Sequence, residues 1–259
     1  MKILFIGDVV GKPGRTILRR RLPSLIDRHG IDFTVANAEN SAGGAGATAE
    51  TCEEMFAAGV DCLTSGNHIW DKREIFEVLG RDPRLLRPAN YPDANPGSGV
   101  FVGRGRDGAR IGIMNLIGRV FLVNVDCPFR TADAILEEIR PRADCVIVDM
   151  HAEATSEKVA MGWYLAGRVA AVIGTHTHIP TADATVLPGG TAYLTDVGMT
   201  GPFDSVIGVD KSQVIERFLT GRNVRFQPAT ADVRLYAAVL TVDSTTGRAT
   251  SIERVEERE

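Results

Sequence analysis

The sequence predicts an α/β fold in which two sheets pack together with helices on the outside. Apolar runs of strand length alternate with helical patterns through the first part of the chain. From Thr185 onward β signals dominate, interrupted by one helix. Metal-friendly residues directly follow buried runs at five separate places. An α/β fold gathers the ends of its parallel strands along one edge, so such groups can converge there.

The elements follow in order. Lys2–Gly7 is a first strand, and Arg15–Arg28 a helix that Pro23 is expected to kink or split. Asp32–Ala36 is a second strand. The small-residue loop Ser41 to Ala47 reads as a flexible connection, and Thr48 can cap the helix after it. Val60–Thr64 is a third strand, with a short helix over Arg73–Leu79. Ser98–Val102 and Arg110–Asn115 flank a Gly-rich turn and read as a hairpin. Ala132–Ile139 is helical, Asp144–Asp149 a strand, and Ser156 a candidate cap for a helix to Leu165. Val169–Ile173, Ala192–Thr195, Val224–Gln227, Arg234–Val242 and Thr250–Val255 are strands, with a helix over Ser212–Leu219. No internal repeat or linker divides the chain, so 1–259 is expected to be one domain.

Composition excludes several classes. A hydrophobic fraction of 44% with 24% charged residues is ordinary for a globular protein. A net charge of −4 argues against broad electrostatic capture of nucleic acid. No apolar run approaches the roughly 20 residues that span a bilayer, and MKILFIGDVV reads as a strand rather than a signal peptide. The cysteines at 52, 62, 127 and 145 form no C-x-x-C pair. Reduced thiols in a cytoplasmic protein are the economical reading.

The five patches are Asp8 after KILFIG, Glu39–Asn40 after DFTVAN, Asn67–His68 after CLTSG, His151 after CVIVDM, and His176-Thr177-His178 after AAVIG. Taken singly, each has a plain explanation: a turn, a cap, a surface histidine. Together they do not, because four of the five histidines fall at strand ends. Carboxylate, amide and imidazole donors in this number exceed what one transition metal needs and point to two. Two cations about 3.5–4 Å apart can hold a hydroxide, neutralise phosphate oxygens and stabilise a leaving oxygen. A histidine outside the ligand set can then protonate the departing alkoxide. Gly11-Lys12-Pro13-Gly14 lacks the G-x-x-x-x-G-K-[ST] pattern of a phosphate loop.

In order, the motifs GD, N-x-E-N, GNH, a lone His and G-x-H-x-H resemble the calcineurin-like metallophosphoesterase superfamily. The variant NAEN, with GDVVGKPGR early and GTHTH late, is similar to a bacterial branch known as 2′,3′-cyclic-nucleotide phosphodiesterases. That resemblance implies a four-layer α/β/β/α sandwich of two mixed β-sheets flanked by helices. It also implies that Asp8, Glu39, Asn40 and His178 hold one metal. Glu39 would bridge to a second, completed by Asn67, His151 and His176, with His68 as the general acid. The cofactors implied are two di- or trivalent transition-metal ions, iron ahead of manganese and both ahead of zinc. Three positions depart from the superfamily pattern. Val10 stands where D-x-H has its histidine, Glu39 replaces the shorter bridging Asp, and Ile69 replaces the acid after GNH. Asp71 is the candidate to orient His68 instead. Trp70 can pack or stack on a base, and Ile117–Arg130 can form a lid.

The function expected is hydrolysis of a small phosphodiester by the metal-held hydroxide. A phosphomonoesterase on the same site, or a regulatory nucleotide- or protein-binding protein with weak catalysis, are the alternatives. The partners expected are the small phosphodiester or nucleotide substrate and no membrane; a homo-oligomer is compatible with the sequence.

Overall fold

The computed structural model describes residues 1–259. Strand β1 (Lys2–Ile6) and the short β2 (Asp8–Val9) lead into helix α1 (Gly11–His29). Next come β3 (Phe33–Asn37), α2 (Ala49–Ala57), β4 (Cys62–Thr64), a 3-10 turn over Asn67–Trp70, and α3 (Ile75–Arg81). The hairpin is β5 (Val100–Arg104) and β6 (Arg110–Ile117), followed by α4 (Pro128–Ile139), β7 (Cys145–His151), α5 (Thr155–Leu165) and β8 (Ala171–Thr175). The chain closes with β9 (Thr185–Leu187), β10 (Thr191–Leu194), β11 (Met199–Pro202), α6 (Lys211–Thr220), β12 (Val233–Asp243) and β13 (Arg248–Arg258).

Two mixed sheets result. The first runs β2-β11-β12-β1-β3-β4 with β13 also on β12, and the second β5-β6-β7-β8-β10-β9. Both β1 and β13 pair with residues 237–241 of β12, so they occupy its opposite edges, and β11 continues along the β1 side. β1, β3 and β4 are parallel, as are β6, β7 and β8. Their carboxyl ends share one rim, because Asn37 at the end of β3 and Thr64 at the end of β4 both reach Asp149 near the end of β7.

The period of two along each strand builds the layers. In β1, Leu4 and Ile6 face the core under α1 and α2, while Ile3 and Phe5 face the space between the sheets. In β7, Cys145 and Ile147 join that same middle core, and Val146, Val148 and Met150 pack under α4 and α5. Helix, sheet, sheet and helix each have an apolar partner. This is the α/β/β/α sandwich that the resemblance implies.

Several expectations need correction. Helix α1 runs unbroken through Pro23. An interior proline costs about 3 kcal/mol, but fully buried Leu22 and Leu25 lie on either side and contribute about 1.5–3 kcal/mol each. Packing wins. Ser156 is not the cap of α5; that helix begins at Thr155 with Ala154 before it and no side-chain cap. Thr48 does cap α2, in a reciprocal capping box with Thr51. Val224–Gln227 is not a strand. The Gln227 amide donates to the Gln213 side chain and its carbonyl accepts from Asp210, which ties it to the start of α6 rather than to a sheet. The loop before α2 is held, not loose: Ala42 donates to Gly46, Gly44 to Asn40, and Arg15 to the Ser41 carbonyl. No helix is long and apolar enough to cross a membrane, and all four cysteines are free.

Candidate metal centre and catalytic site

The shared rim collects all the residues singled out at strand ends. Asp8 follows β1, Glu39 and Asn40 follow β3, and Asn67 and His68 follow β4. His151 ends β7, and His176 and His178 follow β8. Asp8 and His151 are fully buried, and Glu39, Asn40 and His178 nearly so.

Two groups of atoms emerge. In one, His151 Nε2 is 3.0 Å from Glu39 Oε1, 3.0 Å from His176 Nδ1 and 3.3 Å from Asn67 Oδ1. One donor atom each from Glu39, His151 and His176 lies within 4.8 Å of the others. In the second, His178 Nε2 is 3.3 Å from Asn40 Oδ1 and 3.9 Å from Asp8 Oδ1. Val10 takes no part as a donor. The Asn40 Nδ2 group donates to the Gly44 carbonyl at 3.1 Å, which turns Oδ1 toward His178.

The outer nitrogen of each imidazole is fixed, which leaves the inner nitrogen facing its neighbours. His151 Nδ1 donates to Thr175 Oγ1 at 2.9 Å, and that hydroxyl donates to Asp149 at 2.7 Å. His178 Nδ1 donates to the Ile207 carbonyl at 2.8 Å. His176 Nε2 donates to Glu153 at 3.0 Å. Three inner nitrogens and two carboxylates thus point inward at one another. Asp8 Oδ1 is buried without any hydrogen-bond partner. A buried, unpaired carboxylate oxygen is costly unless a cation meets it. The donor set therefore fits metal ions, and Asp8, Glu39, Asn40, Asn67, His151, His176 and His178 are the residues that could hold them.

Charge in the protein alone agrees. Burial opposes ionisation of Glu39, yet the His151 charge and hydrogen bond hold it down at about 2. Burial also opposes the charged form of His151, but Glu39 raises it to about 9. Burial, reinforced by the His151 charge, pushes His176 down to about 3. Burial raises Asp8 to about 6. One proton among three crowded donors does there what a cation would do better.

Backbone geometry marks the same place. His176 and His178 both lie at positive φ, 93° and 64°, a region that non-glycine residues seldom adopt. Fully buried Asp196 holds their loop: it accepts from the Thr177 amide at 3.1 Å, the Thr177 hydroxyl at 2.6 Å and Lys158 Nζ at 2.8 Å. A Cβ on Gly66 would sit 2.1 Å from His151 Nε2 and 2.4 Å from Glu39 Oε2. Only glycine fits there.

His68 stands at the open side, partly exposed. Its amide donates to Glu39 Oε2 at 3.1 Å, and its Nδ1 is 2.8 Å from Asp71 Oδ2. Asp71 therefore orients His68 from three residues on, in place of the acid absent at Ile69. Trp70 packs against Phe76 and Tyr91 and lines neither cavity at the rim. The Ile117–Arg130 segment does not cover the site: it lines neither cavity at the rim. Its Arg119 and Val120 amides are tied to Glu157, and the Ile117 and Asp126 carbonyls to Asn90. A larger cavity of about 490 Å³ beside Arg87 and Arg130 contains no histidine, so size does not locate the chemistry.

Sequence reasoning misses Asp149, Asp196, Lys158 and Thr175. Asp149 accepts from Asn37 and Thr64 of the first sheet and Thr175 of its own, so it also joins the sheets at the rim. The available signal is an acid inside the apolar run CVIVDM, which a solvent-facing strand would not need.

A cavity of about 310 Å³ opens over these groups, lined by Glu39, His68, His176 and His178 among others. The chain is 46% identical over 255 residues to a 2′,3′-cyclic-nucleotide 2′-phosphodiesterase of Bacillus subtilis (strain 168), covering 98% of this chain and 96% of that protein. Its structure is similar to the crystal structure of a hypothetical protein from Thermus thermophilus, with a TM-score of 0.94, 43% identity and full coverage of both chains. The calcineurin-like phosphoesterase YfkN of Bacillus subtilis shares the fold at a TM-score of 0.57 and 11% identity, covering 100% of this chain and 90% of that one. The family model described as YmdB-like protein matches residues 4–255. With calcineurin-like phosphoesterases as its fold neighbours and a family match along nearly its whole length, the chain belongs to the YmdB-like family.

Proposed function

We propose that this protein is a metal-dependent phosphodiesterase acting on small phosphodiesters, with 2′,3′-cyclic nucleotides as its substrate class. The observation that carries the reading is the inward-facing donor set, in which three imidazoles have their outer nitrogens fixed and Asp8 Oδ1 has no partner. The Bacillus subtilis relative supports the choice of substrate.

In this reading Asp8, Glu39, Asn40 and His178 would hold one cation, and Asn67, His151 and His176, with Glu39 again, a second. Metal ions bound there would supply Lewis-acid activation of water and neutralise charge on the phosphoryl oxygens. The amide oxygens of Asn40 and Asn67 beside three imidazoles suit iron, manganese or zinc, and availability decides among them. The chain's own residues do the rest. His68, held by Asp71, presents Nε2 to the leaving oxygen and transfers a proton as the P–O bond breaks. Asp149, through Thr175, keeps His151 in the tautomer that leaves Nε2 free. Asp196 holds the strained loop so that His176 and His178 point to opposite halves of the site.

A diester fits better than a monoester. No Lys or Arg lines the cavities at the rim, so beyond the metal ions no fixed side-chain cation is present for the second charge of a phosphomonoester. The free thiols fit a reducing cytoplasm. The test is turnover: protein loaded with Mn²⁺ or Fe²⁺ hydrolyses 2′,3′-cyclic AMP and bis-p-nitrophenyl phosphate, and prefers the bis-ester to p-nitrophenyl phosphate. Undiminished activity in Glu39→Ala, or a strong preference for the monoester, would overturn the reading.

A further inference from the structure

Beside the metal cavity lies a second one, of about 280 Å³, lined by Val10, Gly43, Gly44, Ile207, Phe226 and Pro228 among others. The two cavities share Asn40, His68, His178 and Ile207. We propose that this cleft is the nucleoside subsite, which seats the base of the substrate by shape and stacking while His68 serves the ribose oxygen. The proposal rests on the phosphodiesterase reading and names where its substrate lies.

The strongest argument is Ile207. Val206 and Val209 exchange both backbone hydrogen bonds, at 2.9 and 3.0 Å, around a two-residue turn. Both central residues are at positive φ, 47° at Ile207 and 97° at Gly208. Such turns favour Asn, Asp or Gly at the first central position, and a β-branched residue there is an outlier. The turn's other task, offering its carbonyl to His178 Nδ1, needs no side chain. Yet the isoleucine side chain stands half exposed between the two cavities. Strain of this kind marks function when an outlier has no structural need. An apolar wall at the junction of phosphate and base sites supplies that function.

The rest of the cleft matches. Phe226 offers an exposed aromatic ring, with the Arg217 guanidinium 5.1 Å from its centre. Gly44, also in the lining, lies at φ +94°, where an added Cβ would come within 3.1 Å of Pro228, so bare backbone is offered there. Ligand pockets start near roughly 300 Å³, which suits a fragment of nucleoside size. The side chains of the lining include no base-reading acid and only Gln227 and Asn40 as amides. Stacking therefore dominates over hydrogen-bond readout, and the base matters more by its presence than by its identity.

The experiment compares adenosine 2′,3′-cyclic phosphate with its abasic methyl riboside counterpart on Mn²⁺-loaded protein. In the wild type the abasic compound has a KM about tenfold higher. In Ile207→Asn and in Phe226→Ala the two KM values come within about twofold of each other. Ile207→Asn is the decisive variant, because asparagine tolerates this backbone: its Tm stays level or rises while the KM ratio collapses. Equal KM values in the wild type, or a ratio that neither variant moves, would overturn the subsite and leave the phosphodiesterase reading intact. Equilibrium dialysis with adenosine separates the other case. Adenosine bound by the wild type but not by the variants, with no turnover of either ester, would retain the cleft and remove the phosphodiesterase reading. Loss of turnover together with loss of adenosine binding in the wild type would remove both.

Discussion

Gly66 is glycine because His151 and Glu39 occupy the space its side chain would need, at 2.1 and 2.4 Å. Gly66→Ala is expected to bind less than half the wild-type metal while its far-UV circular dichroism is unchanged. Metal analysis of the purified variant checks this, and full loading would contradict the placement. His68 and Asp71 should separate from the ligands. His68→Ala lowers kcat by about 10²–10⁴-fold with metal content unchanged, and Asp71→Asn lowers it by about tenfold or more, with KM held in both. Proton balance tests His151. Without metal, Glu39 raises it to about 9, so it is protonated at neutral pH and must lose that proton to offer Nε2 to a cation. Metal uptake at pH 7.5 should therefore release about one proton from this residue, and affinity at its site should weaken as pH falls. Calorimetry in buffers of different ionisation heat reads the number directly; zero protons released would refute the pairing. The strand-end placement of Asp8, Glu39, Asn67, His151 and His176 can be read from the sequence because each follows a buried run. Asp149 shows there only as an acid inside an apolar run; its role is not legible, since that run carries no local mark of the partners waiting on the facing sheet.

Elements show where periodicity suffices and where it fails. β1, β7 and β12 are legible because their alternate residues feed two different cores. β2, β9 and β11 have only two, three and four residues, too few to display a period. Val224–Gln227 has strand composition but loses its pairing to Gln213 and Asp210, a tertiary outcome that composition does not contain. The histidine loop after β8 depends on α5 through Lys158, fully buried against Asp196 at 2.8 Å. Removing one partner of a buried pair costs about 3–5 kcal/mol. Lys158→Met should lose about that much in urea unfolding. A loss under about 1 kcal/mol would show that the pair contributes no more than a surface contact.

At the scale of the molecule, the two-sheet sandwich follows from the alternation of strands and helices, whereas the facing of the sheets depends on polar contacts hidden in both. Asn115 exchanges hydrogen bonds with Ser65 at 2.9 Å each way, and Asp149 reaches Asn37 and Thr64. The candidate donors divide along the same line: Asp8, Glu39, Asn40 and Asn67 come from the first sheet, and the three histidines from the second. Ions held among them would act as a clasp across the mouth of the sandwich. Chelation should then let the mouth gape while the opposite end stays shut. Amide hydrogen exchange would quicken at the last residues of β4, β7 and β8 and hold steady along β13; uniform acceleration, or none, would mean the sheets are joined without the clasp.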